Sequence, residues 1–226
     1  MKITRTKLLA ACTVILIIAV SLTAVLFQNL RIQANPANST RVACIGDSLT
    51  AVSSYPAILQ TMLGGNYTVG NFGFVGSTVL SNTSKTYINQ TAFQRAKAFQ
   101  PDIVVIMLGS NDAHIVNYVS IGSFMADYKK LITEIQALAS KPEIFLVKPP
   151  PIFNNEFNLS NSNLVEGVIP RIEQVAEELG LPTIDAYTPF ANHPGYFLDG
   201  VHPTQEGARI IASEVYNGIV HASENS

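Results

Sequence analysis

After residue 40, short apolar runs alternate with segments whose apolar residues recur every three or four positions. Residues 42–45 form a brief apolar run that stops at Gly46-Asp47, and residues 67–72 form a second. Between them, residues 55–63 keep helical spacing as far as Gly64-Gly65, a pair that propagates a helix poorly and ends it readily. Residues 92–99 repeat the helical pattern before Pro101. Residues 103–108 (Ile-Val-Val-Ile-Met-Leu) are apolar without interruption, as a strand covered on both faces must be. The alternation continues with a helix at 124–139, then a strand at 144–147 cut off by Pro149-Pro150-Pro151. A helix at 164–179 ending at Gly180, a strand at 183–186 and a closing helix at 207–220 complete the chain. Five β-α repeats predict an α/β fold, a three-layer α/β/α sandwich around a five-stranded parallel sheet, in one domain spanning residues 41–226. Ligands of such sheets bind beyond the carboxyl ends of the strands. Residues that carry chemistry should therefore follow strands, and residues that precede strands or sit within helices should be structural.

The first thirty residues follow a different pattern. Lys2, Arg5 and Lys7 precede residues 8–27, a run without charge, proline or glycine. About 20 apolar residues rising ~1.5 Å each would span a hydrocarbon layer of ~30 Å, and the basic flank predicts a cytoplasmic N-terminus. A membrane helix within residues 1–30, followed by a linker at 31–40, is the expected arrangement. A cleaved secretory signal is the alternative, but such signals usually have cores of ~7–15 residues, and the best cleavage context, Ile32-Gln33-Ala34, is mediocre. A lipoprotein-like box at Leu9-Ala10-Ala11-Cys12 fails on position, because the apolar core follows that cysteine. The domain is therefore expected to be extracytoplasmic, anchored or, after cleavage, secreted. Sequons at Asn38, Asn66, Asn82, Asn89 and Asn158 suit that placement, though short sequons also arise by chance.

Composition narrows the partners. A net charge of −2 with 13% charged residues gives no electrostatic basis for nucleic-acid binding. The two cysteines, Cys12 and Cys44, fall in the predicted membrane segment and a buried strand, so neither a disulfide framework nor a cysteine metal site is expected.

Four polar segments fall where one face of the sheet would gather them, three of them directly after strands. Gly46-Asp47-Ser48-Leu49 follows the first strand, where a serine entering a helix points its hydroxyl outward among converging N–H groups. An ordinary helix-capping serine would look the same. Residues 71–78 (Asn-Phe-Gly-Phe-Val-Gly-Ser-Thr) follow the second strand, and a glycine there can offer its N–H without an obstructing side chain. Gly109-Ser110-Asn111-Asp112 follows the third, and Asn111 supplies a neutral donor suited to an oxyanion that forms only during reaction. Asp199-Gly200-Val201-His202-Pro203 precedes the last helix. Across a turn, that spacing can bring a carboxylate to one imidazole nitrogen and leave the other free to take a serine proton. Each segment alone is weak. Together they hold every part that acyl transfer requires.

With these blocks in hand, residues 41–221 resemble the GDSL or SGNH hydrolase superfamily. The resemblance implies a flavodoxin-like sandwich, with Ser48 as nucleophile, His202 as general base and Asp199 as its partner. It also implies an oxyanion hole made of the Ser48 N–H, a glycine N–H and the Asn111 side chain. The Asn-to-Gly spacing places that glycine at Gly76, with Gly73 as the alternative. Val75 and Ser77 stand where many relatives carry Ser and an acid or small residue, a departure that weakens close substrate analogy. Asn71-Phe72-Gly73, residues 149–153 and Asp199-Gly200-Val201-His202-Pro203 look like the carbohydrate-ester branch, which includes acetyl-xylan and sialate O-acetylesterases. Phe153 and Phe157, and Tyr187, Phe190, His193, Tyr196 and Phe197, fall in loops that could wall a sugar or pack on one another.

The implied activity is serine-dependent hydrolysis of a small-molecule or glycan ester, with no metal and no cofactor, falling on acidification because His202 must be neutral. An O-acyltransferase would use the same residues, a lipase or lysophospholipase would suit a membrane tether, and a binding module with a relic site is the non-enzyme alternative.

Overall fold

The computed structural model describes residues 39–224. The predicted membrane helix at 1–30 and nearly all of the linker lie outside them. The elements run β1 (Thr40–Gly46), α1 (Ser48–Ala51), α2 (Tyr55–Leu63), β2 (Tyr67–Gly73), α3 (Thr91–Ala98), β3 (Ile103–Met107), α4 (Phe124–Gln136), β4 (Glu143–Lys148), α5 (Ile169–Leu179), β5 (Thr183–Asp185) and α6 (Gln205–Glu224). Short 3₁₀ turns fill several of the connections. β1 begins inside the predicted linker, because Thr40 donates its N–H to the Asn66 carbonyl and pairs with Tyr67.

All five strands are parallel, in the order β2-β1-β3-β4-β5. The chain builds outward from β1 on one side and then crosses to β3 on the other. The switch point therefore lies between the carboxyl ends of β1 and β3, which is where a crevice opens in such sheets. β3 is buried at every position, and the core of β1 (Val42, Ala43, Cys44, Ile45) is equally closed. Helices cover both faces, with Leu59, Phe93, Ile132, Ile172 and Ile211 contributing fully buried side chains. Burial pushes the Cys44 thiol up to about 12, so it packs as a small apolar group.

Two departures from the sequence pattern have local causes. The run predicted as one helix from 164 begins as a π-helical stretch, Leu164–Val168, before α5. Pro170 has no N–H to donate to an earlier turn, and Gly167 lies under Tyr118, whose hydroxyl would be 2.2 Å from any Cβ there. The helix predicted to reach 139 stops at Gln136, where the N–H groups of Ala137 and Leu138 turn back onto Thr133 and Ile135. Among the described residues, no helix is long and apolar enough to cross a membrane.

Candidate active site

Ser48 is the first residue of α1, directly beyond β1. The capping role that a serine could have taken belongs to Asp47, whose carboxylate accepts the Leu49 N–H at 2.9 Å. That leaves the Ser48 hydroxyl uncommitted to the helix. α1 is held to the end of β2 by Asn71, whose amide donates to the Thr50 carbonyl at 2.9 Å while its oxygen accepts the Gly73 N–H at 3.0 Å. The nucleophile candidate thus rides on a four-residue helix clamped from the neighbouring strand end.

The loop before α6 brings in the other two side chains. Asp199 Oδ1 accepts the N–H groups of Val201 and His202 at 3.0 and 2.8 Å, which closes the three-residue spacing into a turn. Its Oδ2 lies 2.7 Å from His202 Nδ1, and His202 Nε2 lies 2.9 Å from Ser48 Oγ. A carboxylate on Nδ1 keeps the proton there and leaves Nε2 as an acceptor, so the Ser48 hydroxyl donates to it. Partial burial raises Asp199, but the hydrogen bonds from His202 and Val201 outweigh it and hold the carboxyl below its ordinary range.

A cavity of about 200 Å³ opens over Ser48 and is lined by Gly76, Asn111, His114, Phe157 and His202, among others. Gly76 has φ +77°, a conformation that favours glycine, and an added Cβ would meet the Lys85 ammonium nitrogen at 3.0 Å. Gly73 does not face this space. It packs on α1, where a Cβ would stand 2.2 Å from the Ala51 nitrogen. Asn111 donates from its amide to the Ser77 carbonyl at 3.1 Å, using one of two amide hydrogens. Its own carbonyl receives the Asn117 amide at 2.8 Å.

Two carboxyls in the Ser48 and Asn111 segments stand apart from the triad. Asp47 and Asp112 are completely buried. Burial pushes Asp47 up to about 7; the Leu49 N–H opposes this, the nearby Asp112 adds to it, and His202 and Asn111 oppose it. Asp47 Oδ2 has no hydrogen-bond partner among the described residues. Burial also pushes Asp112 up to about 7, against the N–H groups of Leu80 and Val79, which it accepts at 2.8 and 3.0 Å. Asp112 therefore anchors the loop that carries Gly76.

His114, to which the sequence pattern assigns no role, also lines the cavity. Its Nδ1 accepts the Val116 N–H at 3.1 Å, which fixes the proton of a neutral ring on Nε2. The available signal was its position three residues after Asn111 in the same strand-end loop. Of the aromatics, Phe157 lines the cavity and meets the His202 ring edge-on at 5.6 Å. Phe153, Phe190, Tyr196 and Phe197 instead pack on one another, with centroids 5.2–5.8 Å apart. Tyr187 receives the Asn161 amide at 3.2 Å, and His193 lies 6.0 Å from the Tyr196 ring. Among the described residues, no group of three or more His, Cys, Asp or Glu side chains could hold a metal ion.

Comparison with known proteins gives a consistent picture. The profile of the GDSL-like Lipase/Acylhydrolase family matches residues 44–210. An acetylxylan esterase of Xylanibacter ruminicola is 33% identical over 201 residues, which cover 77% of this chain and 42% of that protein. The chain spans 42% to 59% of the length of the curated relatives it matches. Among solved structures, the M. smegmatis aryl esterase superposes with a TM-score of 0.63 at 19% identity, covering 81% of this chain and 99% of that one. A carbohydrate acetylesterase family member from Sinorhizobium meliloti gives 0.63 at 20% identity, covering 80% and 98%. These two likenesses are of fold.

Proposed function

The chain belongs to the GDSL-like lipase/acylhydrolase family, and from that premise we propose that it hydrolyses carboxylic esters through an acyl-enzyme on Ser48, releasing short acyl groups such as acetyl from a carbohydrate. The observation that carries this reading is the continuous chain of contacts from Asp199 through His202 to Ser48, at 2.7 and 2.9 Å, opening into the small cavity.

His202 Nε2 takes the Ser48 proton as Oγ attacks the ester carbonyl carbon. The carbonyl oxygen becomes an oxyanion, held by the Ser48 N–H, the Gly76 N–H and the Asn111 amide. As the intermediate collapses, the C–O bond to the alcohol breaks and His202 returns its proton to that oxygen. Water then adds to the acyl-enzyme with His202 as base, and the acid leaves as Ser48 regains its proton. Asp199 holds the imidazole in the tautomer each step needs and stabilises its charged form.

The size of the cavity supports a short acyl group. At about 200 Å³ it falls below the ~300–1,000 Å³ usual for drug-sized ligands. The acetylxylan esterase relative supports a carbohydrate alcohol. One observation favours a lipid ester instead: Val75 and Phe157 in the cavity wall and Leu198 in an adjoining recess are exposed apolar side chains, as are Ile115 and Val116, which follow the wall residue His114 in sequence. We place the domain outside the cytoplasm, tethered by or cleaved from its N-terminal segment.

The test is an ester panel on the chain from residue 38 onward, paired with Ser48→Ala. Acetate release should exceed release of long acyl chains, should fall on acidification, and should disappear with Ser48→Ala. A preference for long chains would favour the lipid reading, and full turnover by Ser48→Ala would remove the mechanism. Acetyl transfer to an added acceptor sugar in place of acetate release would identify a transferase.

A further inference from the structure

A second recess, of about 430 Å³, adjoins the nucleophile's cavity and shares Phe157 with it. It is lined by Asn154, Asn155, Glu156, Leu198, Asp199 and Gly200 as well. Its two walls are locked together. Gly200, at φ +83°, comes so close to the Asn154 backbone that a Cβ would stand 2.1 Å from its carbonyl oxygen. Phe153 also donates its N–H to the Gly200 carbonyl at 2.8 Å. Asn155 is fully committed to the loop, accepting the N–H groups of Phe157 and Leu159 and donating to the carbonyls of Phe153 and Leu159. The recess is therefore a built feature, and among the described residues the Asn154 and Glu156 side chains have no recorded hydrogen-bond partner.

Reaction geometry says which half of the ester belongs there. The oxyanion must point toward Gly76 and Asn111, both in the smaller cavity. The departing oxygen must instead face His202 Nε2, which returns the proton to it. The recess adjoins the smaller cavity at Phe157, which lines both and meets the His202 ring edge-on at 5.6 Å. With the acyl half held in the smaller space, the alcohol half extends past Phe157 toward the recess.

The charge lining the recess is one-sided. Glu156 and Asp199 contribute carboxylates, and no lysine, arginine or histidine lines it. Glu156 is exposed and forms no ion pair among the described residues. Phe157 and Leu198 offer apolar surface for the C–H face of a sugar ring. We infer that this recess is the alcohol subsite and that Glu156 makes it a specificity determinant, favouring neutral glycan esters over those of uronic acids. The inference rests on the carbohydrate-ester reading and deepens it.

The test compares kcat/KM for acetate release from a methyl glucoside and a methyl glucuronoside acetylated at the same ring hydroxyl. The measurement is made on the native protein, Glu156→Gln and Glu156→Lys. Because the readout is a ratio within each protein, any loss of folded material cancels. The native protein should prefer the neutral ester by about threefold to tenfold, as expected for like charges a few ångströms apart near solvent. Added salt should shrink that preference. Glu156→Gln should abolish most of it, and Glu156→Lys should reverse it. The same ratio in all three proteins would overturn the role of Glu156 and leave the carbohydrate-ester reading standing. Turnover of aryl acetate but of neither sugar ester would overturn both.

Discussion

Asp47 and Asp199 stand one and three residues from the two reacting side chains, and they occupy opposite environments. Asp199 lies at the surface, accepts two backbone N–H groups and the His202 ring, and is held below the ordinary carboxylate range. Asp47 is completely buried at the N-terminus of α1, accepts the Leu49 N–H, leaves one oxygen without a partner among the described residues, and is pushed up to about 7. Residue type is therefore a poor guide to role. A carboxyl that must stay charged to hold an imidazole needs donors and solvent. One that serves as a cap can be buried and keep its proton up to neutral pH.

The two sites should also pull on stability in opposite senses. Asp47 and Asp112 bind protons in the native state between about 4 and about 7, where the unfolded chain has already released them. Each therefore adds stability at acid pH that is lost as pH rises through that window. Asp199 and Asp185 are lowered in the native state, so their contributions are present above the ordinary carboxylate range and fade as pH falls below it.

Asp199→Asn should break the comparison most forcefully. An amide cannot hold the His202 tautomer as a carboxylate does, and kcat for aryl acetate should fall by about 10²–10⁴. Unchanged turnover would mean that His202 is oriented by something else. Asp112→Ala comes next, because it strips the acceptors from the Val79 and Leu80 N–H groups. Urea unfolding at pH 5 should show a loss of about 1–3 kcal/mol. Retained stability would show that this loop does not depend on the buried carboxyl. Asp47→Asn has the smallest effect and the most specific one. The amide oxygen can still cap Leu49, so stability should change little at pH 5 but rise by about 1 kcal/mol or more at pH 8. Its pH–stability curve between 4 and 7 should be shallower than that of the native protein, and parallel curves would show that Asp47 does not titrate there. This variant should also lose far less turnover than Asp199→Asn.

The same contrast explains what could be read from the chain. The uninterrupted apolar run at β3 and the alternation around it are local patterns, and they predict the layers and the five strands. Ser48, Gly76 and Asn111 sit in short segments after strands, and Asp199 and His202 in the loop before α6, and within each segment the spacing is also local. What could not be read depends on partners distant in sequence. The setting of Asp112 depends on Val79 and Leu80, more than thirty positions earlier. The sequence left open whether the aromatics after β4 and β5 face a ligand or each other. The turn at Gly200 closes on Asn154, the Phe157 ring meets His202, and Phe197 packs against both Phe153 and Phe190. The π-helical entry to α5 needed Pro170 to be read together with Tyr118, fifty-odd positions earlier.

If Ser48 Oγ is the nucleophile of the covalent step, an active-site label reports it directly. A fluorophosphonate loses fluoride as a serine oxygen bonds to its phosphorus, leaving a stable analogue of the tetrahedral intermediate. Digestion and mass spectrometry should find one adduct, on the peptide containing Ser48, formed in step with the loss of esterase activity and blocked by Ser48→Ala. Inactivation with the label on a different serine, or full activity with Ser48 completely labelled, would contradict the account.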